Sequence, residues 1–225
     1  MEKRGNVPKR IVVTGIPCTG KTTLAKSLAK KLGVAYVSVN GFAIRGKLFS
    51  QQKNEKEKTV RLGGLAKKLK KFLEKIGKKA GGYVVEGNLA CEFPIPCDAV
   101  VVLRADPAIL EKRCRKRGYS QEKTDENILS EILDYCLVKS EKNFPKGMTV
   151  NIDNSIPLKA GALVSRLRRR KSDFTNWMPL LLSRLLPASR RGSAGKLLKT
   201  NCRYKHTAFR HGALRKEKPT KAFRS

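Results

Sequence analysis

Between Gly15 and Thr22 the chain reads Gly-Ile-Pro-Cys-Thr-Gly-Lys-Thr, with a second threonine at Thr23. Two glycines with four residues between them, then Lys and a hydroxyl residue, make the Walker A spacing, in which backbone N–H groups and a helix start surround a chain of phosphates. Gly15, Cys18 and Gly20 would supply main chain, and Lys21 would reach the β and γ phosphates. Thr22 would place its hydroxyl on Mg²⁺, and Thr23 would sit near the α phosphate. The ligand this chemistry predicts is ATP with Mg²⁺. An ordinary glycine-rich turn is the plainer alternative; the β-rich run before the motif and the helical pattern after it argue against that.

Other residues fit the same chemistry. Glu86 ends the apolar run Tyr83 to Glu86, the end of a buried strand at which open α/β sheets bind ligands. It is the candidate for orienting magnesium through its water shell, the alternative being a carboxylate paired with a nearby lysine. Arg113, Arg115, Lys116 and Arg117 precede Gly118-Tyr119, where arginines could offset charge in a phosphoryl transition state or simply lie solvated at a helix end. No Ser-His-Asp set, zinc spacing or Rossmann glycine pattern is present. His206 and His211, with Cys202, stand at no standard zinc spacing.

Positioning these residues requires a scaffold. Short β-rich runs alternate with stretches of helical period, the mark of a parallel sheet covered by helices. The pattern predicts strands at Arg10 to Thr14, Ala35 to Val39, Tyr83 to Glu86, Ala99 to Leu103 and Thr149 to Ile152. Helices are predicted at Lys21 to Leu32, Thr59 to Lys78, Pro107 to Arg117, Lys123 to Lys142 and Leu158 to Arg170. The fold class is α/β, a three-layer P-loop fold on a central parallel five-stranded sheet. In the helix predicted from Thr59, Leu65, Leu69, Phe72, Leu73 and Ile76 share an apolar face with Leu62, while Lys68, Lys71, Lys75 and Lys78 lie away from it. Ser50 to Lys58 is lysine-rich without period and reads as a mobile insertion. Residues 1–186 read as one domain and 187–225 as a basic tail.

Lys and Arg number 50 against 18 Asp and Glu, a net charge of +32, which draws polyanions such as RNA, or anionic membrane, by long-range attraction. From Pro157 onward 19 Lys and Arg face only Asp173 and Glu217, so 19 − 2 = +17. Tyr204 and Phe209 lie among them, suiting sequence-tolerant RNA binding or a merely solvated tail. Six scattered cysteines without a C-x-x-C pair read as reduced thiols in a cytoplasm. No apolar run approaches the roughly 20 residues of a membrane span.

Residues 9 to about 155 resemble the archaeal branch of the adenylate kinase isoenzyme six family, the CINAP-like nucleoside monophosphate kinases. The resemblance rests on the P-loop with Thr22-Thr23-Leu24, on Tyr36 to Asn40, on Val84-Val85-Glu86-Gly87-Asn88-Leu89 and on Cys97 to Arg104. It continues through Arg113 to Tyr119, Lys123, Glu126-Asn127, Glu131 and Leu133-Asp134-Tyr135-Cys136. It implies a kinase with a short lid, weak ATPase activity and a role in late maturation of the small ribosomal subunit with a platform protein, the S-eleven protein.

By the same resemblance Cys18, Gly20, Lys21, Thr22 and Thr23 hold ATP, residues 38–61 bind the monophosphate with Arg45 as a ligand, and residues 116–126 form a lid with Arg117 on ATP. Three positions depart from the family: Cys18 where Gly is usual, Asn88 where His is usual, and a lysine-rich Gln51 to Arg61. An amide can hydrogen-bond but cannot titrate near neutral pH, so Asn88 bears on hydrolysis more than on binding.

Three functions fit these features. In the first, γ-phosphoryl passes from ATP to AMP or another nucleoside monophosphate, with Lys21, Glu86, Asn88, Arg113 and Arg117 at the reacting groups. In the second, ATP switches an assembly factor on ribosomal protein and rRNA. In the third, a P-loop kinase acts on another metabolite.

Overall fold

Alternate residues of the strands face opposite layers, and the apolar pattern sorts them. Ile11 and Val13 pack on one side of the sheet with Val101 and Leu103, whereas Val12 packs on the other with Val100 and Val102. A sheet apolar on both faces needs helices on both. The computed structural model describes residues 7–50, 59–60 and 62–180. In chain order the elements are β1 (Arg10–Gly15), α1 (Lys21–Leu32), β2 (Ala35–Ser38), α2 (Val39–Arg45), β3 (Phe49–Ser50), β4 (Thr59–Val60), α3 (Leu62–Ala80) and β5 (Tyr83–Glu86). They continue with a 3₁₀ turn (Asn88–Cys91), β6 (Ala99–Arg104), α4 (Pro107–Lys116), α5 (Gln121–Ile132), α6 (Tyr135–Asn143), β7 (Thr149–Asp153) and α7 (Ala160–Arg169).

The predicted five-stranded parallel sheet is present, in the order β2-β5-β1-β6-β7. Helices α1 and α7 cover one face through Leu24, Leu28, Leu163 and Leu167, and α3 to α6 cover the other through Leu65, Leu69, Leu110 and Ile132. Each of these buried side chains contributes about 1.5–3 kcal/mol relative to exposure. Five cysteines lie among the described residues, and all are free thiols.

Three of the differences from the sequence pattern have a visible cause. Thr59 and Val60 are not helical but pair antiparallel with Phe49 and Ser50, so the helix predicted from Thr59 begins at Leu62. The strand predicted through Val39 stops at Ser38, whose hydroxyl accepts the Gly41 N–H at 3.3 Å and caps α2.

The helix predicted over Lys123 to Lys142 is two helices, parted at Leu133 and Asp134, the latter with φ 56°. Arg104, buried at the end of β6, explains the break. It donates to the Glu131 carboxylate at 2.6 Å, to the Glu131 carbonyl at 2.7 Å and to Asp134 at 2.5 Å, pulling the chain out of helical geometry. Burial raises the Glu131 carboxyl above its ordinary range, against the opposing pull of Arg104. Residues 51–58 of the expected insertion lie outside the described residues, as do Arg61, Cys202, His206, His211 and the expected tail.

Helix α3 stands apart in charge. Its apolar stripe is buried, but Lys67, Lys68, Lys70, Lys71, Lys75, Lys78 and Lys79 are all exposed. Like charges at i,i+4, as at Lys67 and Lys71 or Lys71 and Lys75, each oppose the helix by about 0.2–0.5 kcal/mol. Burial of Leu65, Leu69 and Leu73 holds it regardless.

Candidate active site

β1 ends at Gly15 and α1 starts at Lys21, so the intervening loop sits at the C-terminal edge of the sheet. Close approach forces both of its glycines. A Cβ on Gly15 would meet the Leu103 carbonyl oxygen at 2.3 Å, and one on Gly20, at φ 94°, would meet Asn154 Nδ2 at 2.6 Å. Cys18 adopts φ 70° without being glycine, a left-handed conformation costing about 1–2 kcal/mol. Its thiol is buried. With no side-chain cap on α1, the first-turn amides are free to face an anion.

Lys21 is almost fully buried, and its Nζ donates to the Ile16 carbonyl at 2.8 Å. Burial lowers its pKa, so an incoming anion would relieve a desolvated charge. Glu86 is the last residue of β5, in register with Val13 on one side and Ser38 on the other. Its carboxylate accepts from Thr22 Oγ1 at 3.4 Å and from the Tyr36 hydroxyl at 2.9 Å. Burial first, then Glu86, push the Tyr36 phenol up to about 12. Thr22 and Glu86 therefore present hard oxygen donors side by side beneath the phosphate loop, a set that fits magnesium, which binds one or two carboxylates together with substrate phosphates.

Two cavities flank the loop. One, of about 990 Å³, lies along α1 and the segment from Asn154 to Gly161, and its lining includes Thr23, Leu24, Arg113, Pro157 and Leu158. The other, of about 570 Å³, is lined by Lys21, Thr22, Tyr36, Ser38, Glu86 and Asn88 among others, with Tyr119 and Lys123 from the predicted lid. Both are lined by Cys18, Gly20 and Arg117.

The structure thus brings together nearly all the residues singled out in the sequence, but not in equivalent roles. Arg113 Nη2 is engaged by the carbonyls of Asn154 at 3.0 Å and Ser155 at 2.7 Å, while its buried Nη1 has no partner. Arg117, just past α4, is exposed and faces both cavities. Asn88 opens the 3₁₀ turn beside Glu86. Arg45, in the last turn of α2, is exposed and lies outside the lining of either cavity.

Two residues escaped sequence reasoning. Tyr36 enters only within the resembling segment Tyr36 to Asn40 and with no role of its own, although its hydroxyl donates to the same carboxylate as Thr22. Asn154 holds the phosphate loop by donating to the Thr19 carbonyl at 2.7 Å while accepting the Leu158 N–H at 2.8 Å. It lies 135 positions from Thr19, and only its place just past a strand end could have marked it.

The profile of a family described as an AAA domain matches residues 11–134. A protein named "Putative adenylate kinase" from Pyrococcus abyssi is 38% identical over 147 residues, covering 65% of this chain and 77% of that one. Its namesake from Methanocaldococcus jannaschii is 34% identical over 65% of this chain and 77% of its own length. The chain belongs to this family. It is a phosphotransferase of kinase type, and the matched segment contains the P-loop, Glu86, Asn88 and both arginines, but not Asn154, in the profile's span. The match to the Thermococcus kodakarensis relative, 33% identical over 162 residues and 85% of that protein, again spans less than the full chain. Among the described residues no helix is long and apolar enough to cross a membrane.

Proposed function

We propose that this kinase is a magnesium-dependent adenylate kinase that moves the γ-phosphoryl of ATP onto AMP. The observation that carries the reading is the pair of cavities meeting at one phosphate loop. A nucleotide hydrolase needs one; a transfer between two phosphate-bearing molecules needs two, with the reacting atoms within a few ångströms of each other. The larger cavity takes the donor, its base against Pro157 and Leu158, with Arg113 Nη1 as an unspent donor for phosphate oxygen. The smaller takes the acceptor. The relatives' name supports AMP as that acceptor.

The residues divide the work. The loop amides and Lys21 hold the β and γ phosphates, Lys21 keeping further N–H donors beyond the one given to Ile16. Thr22 and Glu86 would hold magnesium, which when bound offsets charge on the β and γ oxygens. Arg117, shared by both cavities, lies where charge moves as the phosphoryl group passes between them. Tyr36 fixes the Glu86 carboxylate. Tyr119 and Lys123 line the acceptor cavity and would exclude water from it.

The reading extends to a cytoplasmic protein with weak ATPase activity that acts in small-subunit maturation beside the S-eleven platform protein, supported by the resemblance in sequence. Residues 187–225 would bind rRNA, supported by their charge. A coupled assay with ATP, Mg²⁺ and a panel of monophosphates tests the core of this: AMP and ATP should be consumed one to one. ATP loss with every monophosphate unconsumed would overturn it. Truncation after Leu186 should leave turnover unchanged and weaken rRNA binding; equal affinity and salt dependence would exclude the arm.

A further inference from the structure

The seven exposed lysines of α3 form a surface that the kinase reaction does not use. None lines the two cavities at the phosphate loop. Glu74 is the helix's sole acidic residue, and although it stands at ion-pairing distance in sequence from Lys70, Lys71 and Lys78, no salt bridge among the described residues joins it to them. Lys67, Lys71, Lys75 and Lys78 follow one another at four, four and three residues, so they run down one side of the helix. At 1.5 Å per residue, the lysines from Lys67 to Lys79 extend about 18 Å. Glu74 falls on the same side and offsets one of the seven charges, so the helix surface keeps an excess of six positive charges, 7 − 1 = 6, which an external polyanion would neutralise.

We propose that the α3 lysine stripe is a docking face for the phosphate backbone of a nucleic acid, read without regard to sequence. The makeup of the stripe decides between polyanions. Protein interfaces are depleted of lysine and centre on aromatic or apolar residues and arginine, whereas between Lys67 and Lys79 Leu69 and Leu73 are buried, Phe72 and Ile76 are half-buried against the core and no arginine occurs. Lys67 and Lys70 border a cavity of about 560 Å³ with Ile95 and Phe144, but along the stripe an acidic protein segment would find no planar fork that pairs with carboxylates. Phosphates need only point charges at intervals, and lysine supplies them. No exposed aromatic stands among these lysines to stack on bases, so the contact is with the backbone. The face does not depend on residues 187–225 and acts in addition to any arm they form.

The test uses the full chain with Lys67, Lys71, Lys75 and Lys78 all changed to Gln, beside a second variant with Arg203, Lys205, Arg210 and Arg215 changed to Gln. Gln matches Lys in helix propensity, so α3 should persist, and its melting temperature should be equal or higher once like charges are gone. Binding of a labelled single-stranded RNA of mixed sequence is followed by anisotropy across a salt series. Each phosphate that is no longer neutralised takes about 0.7 from the slope of log affinity against log salt, so removing all four lysines should flatten it by about 2 to 3. Affinity at low salt should fall at least about tenfold, and AMP phosphorylation should be unchanged. An unaltered slope and affinity in a folded α3 variant would overturn the proposal, whether or not the second variant loses binding. Polyglutamate displacing the RNA at matched charge concentration would overturn the choice of nucleic acid over an acidic protein.

Discussion

The two cavities at the phosphate loop are built differently. The cavity proposed for the donor is lined by Leu24, Pro157, Leu158 and Ala160 and also by Lys30, Lys31, Arg113, Arg117 and Lys159, so on that proposal a base would lie against apolar faces and its phosphates among main chain and cations. The acceptor side has Lys26, Tyr36, Ser38, Asn40, Glu86 and Asn88 within its lining. Apolar walls discriminate weakly between ligands of similar shape, but polar groups left unpaired by a wrong ligand discriminate strongly. The difference teaches that, on the proposed assignment, the choice of acceptor more than that of donor would be written in side chains, and substitutions should separate accordingly.

The largest effect should come from the buried lysine of the phosphate loop, which lines the smaller cavity. Lys21→Ala removes the buried cation over the loop, and turnover should fall by about 10³-fold or more while the fold survives. Steady-state assays beside a melting curve check this; a folded variant with full activity would break the assignment of the loop. Next comes Glu86→Gln, which keeps the shape but removes the charge beside Thr22. Turnover should fall about 10²-fold, with partial recovery at raised Mg²⁺.

Those two residues were legible from the chain because their chemistry is local: a motif of eight residues, and a carboxylate ending an apolar run. The alternation of periods likewise disclosed all five strands of the parallel sheet, though not the β3–β4 pair. What could not be read was set by distant partners. Nothing near Asp134 announces a helix break, because the cause is Arg104, 30 residues earlier and buried. The capped start of α2 was hidden because Val39 continues the apolar run of β2 and only the hydrogen bond of Ser38 ends it. Asn154 belongs to the site solely through the fold, which lays β7 beside β6 and brings the end of β7 to the loop.

The meeting of Asn154 with the loop gives the third prediction, which sharpens the donor side. Gly20→Ala drives a Cβ into Asn154 Nδ2 at a left-handed φ, so the KM for ATP should rise about tenfold, equivalent to the 1–2 kcal/mol of such strain. Asn154→Ala alone should also weaken ATP binding by freeing the Thr19 carbonyl. Because the two residues touch, the double variant should be less impaired than the product of the singles. Strict additivity would show that Asn154 does not act through the loop.

On the acceptor side, Tyr36→Phe loses one hydrogen bond to Glu86, worth about 1 kcal/mol, so the KM for AMP should rise roughly threefold to tenfold with that for ATP little changed. The same variant carries a pH signature. The Tyr36 phenol titrates at about 12 in the folded chain against about 10 when unfolded. The folded state therefore binds the proton more tightly, and its stability advantage is complete below pH ~10 and is lost as pH rises toward 12. Tyr36→Phe should lose less stability over that window than the parent. Tyr83 and Tyr135, also raised to about 12, leave a remaining fall in both proteins.

The smallest effect should come from Asn88→His. Asn88 lines the acceptor cavity beside Glu86, and its carbonyl accepts the Thr14 hydroxyl at 3.5 Å and the Cys91 thiol at 3.2 Å, so its backbone is fixed whatever side chain it carries. An amide there can orient an acceptor phosphate or a water, but it cannot take a proton. An imidazole can, and a well-placed base contributes far more than the gain expected at a site not shaped for it. In the absence of AMP, ATP hydrolysis should therefore rise by only about twofold to threefold, with a pH dependence centred near the ordinary histidine range of about 6.5 that the parent lacks. The rate should increase as pH rises through that value, because the neutral ring is the base. Nucleotide affinity should barely move, since the donor cavity is untouched. A flat hydrolysis rate with no new pH dependence would show that water does not occupy the space before residue 88, and that this position meets only the acceptor.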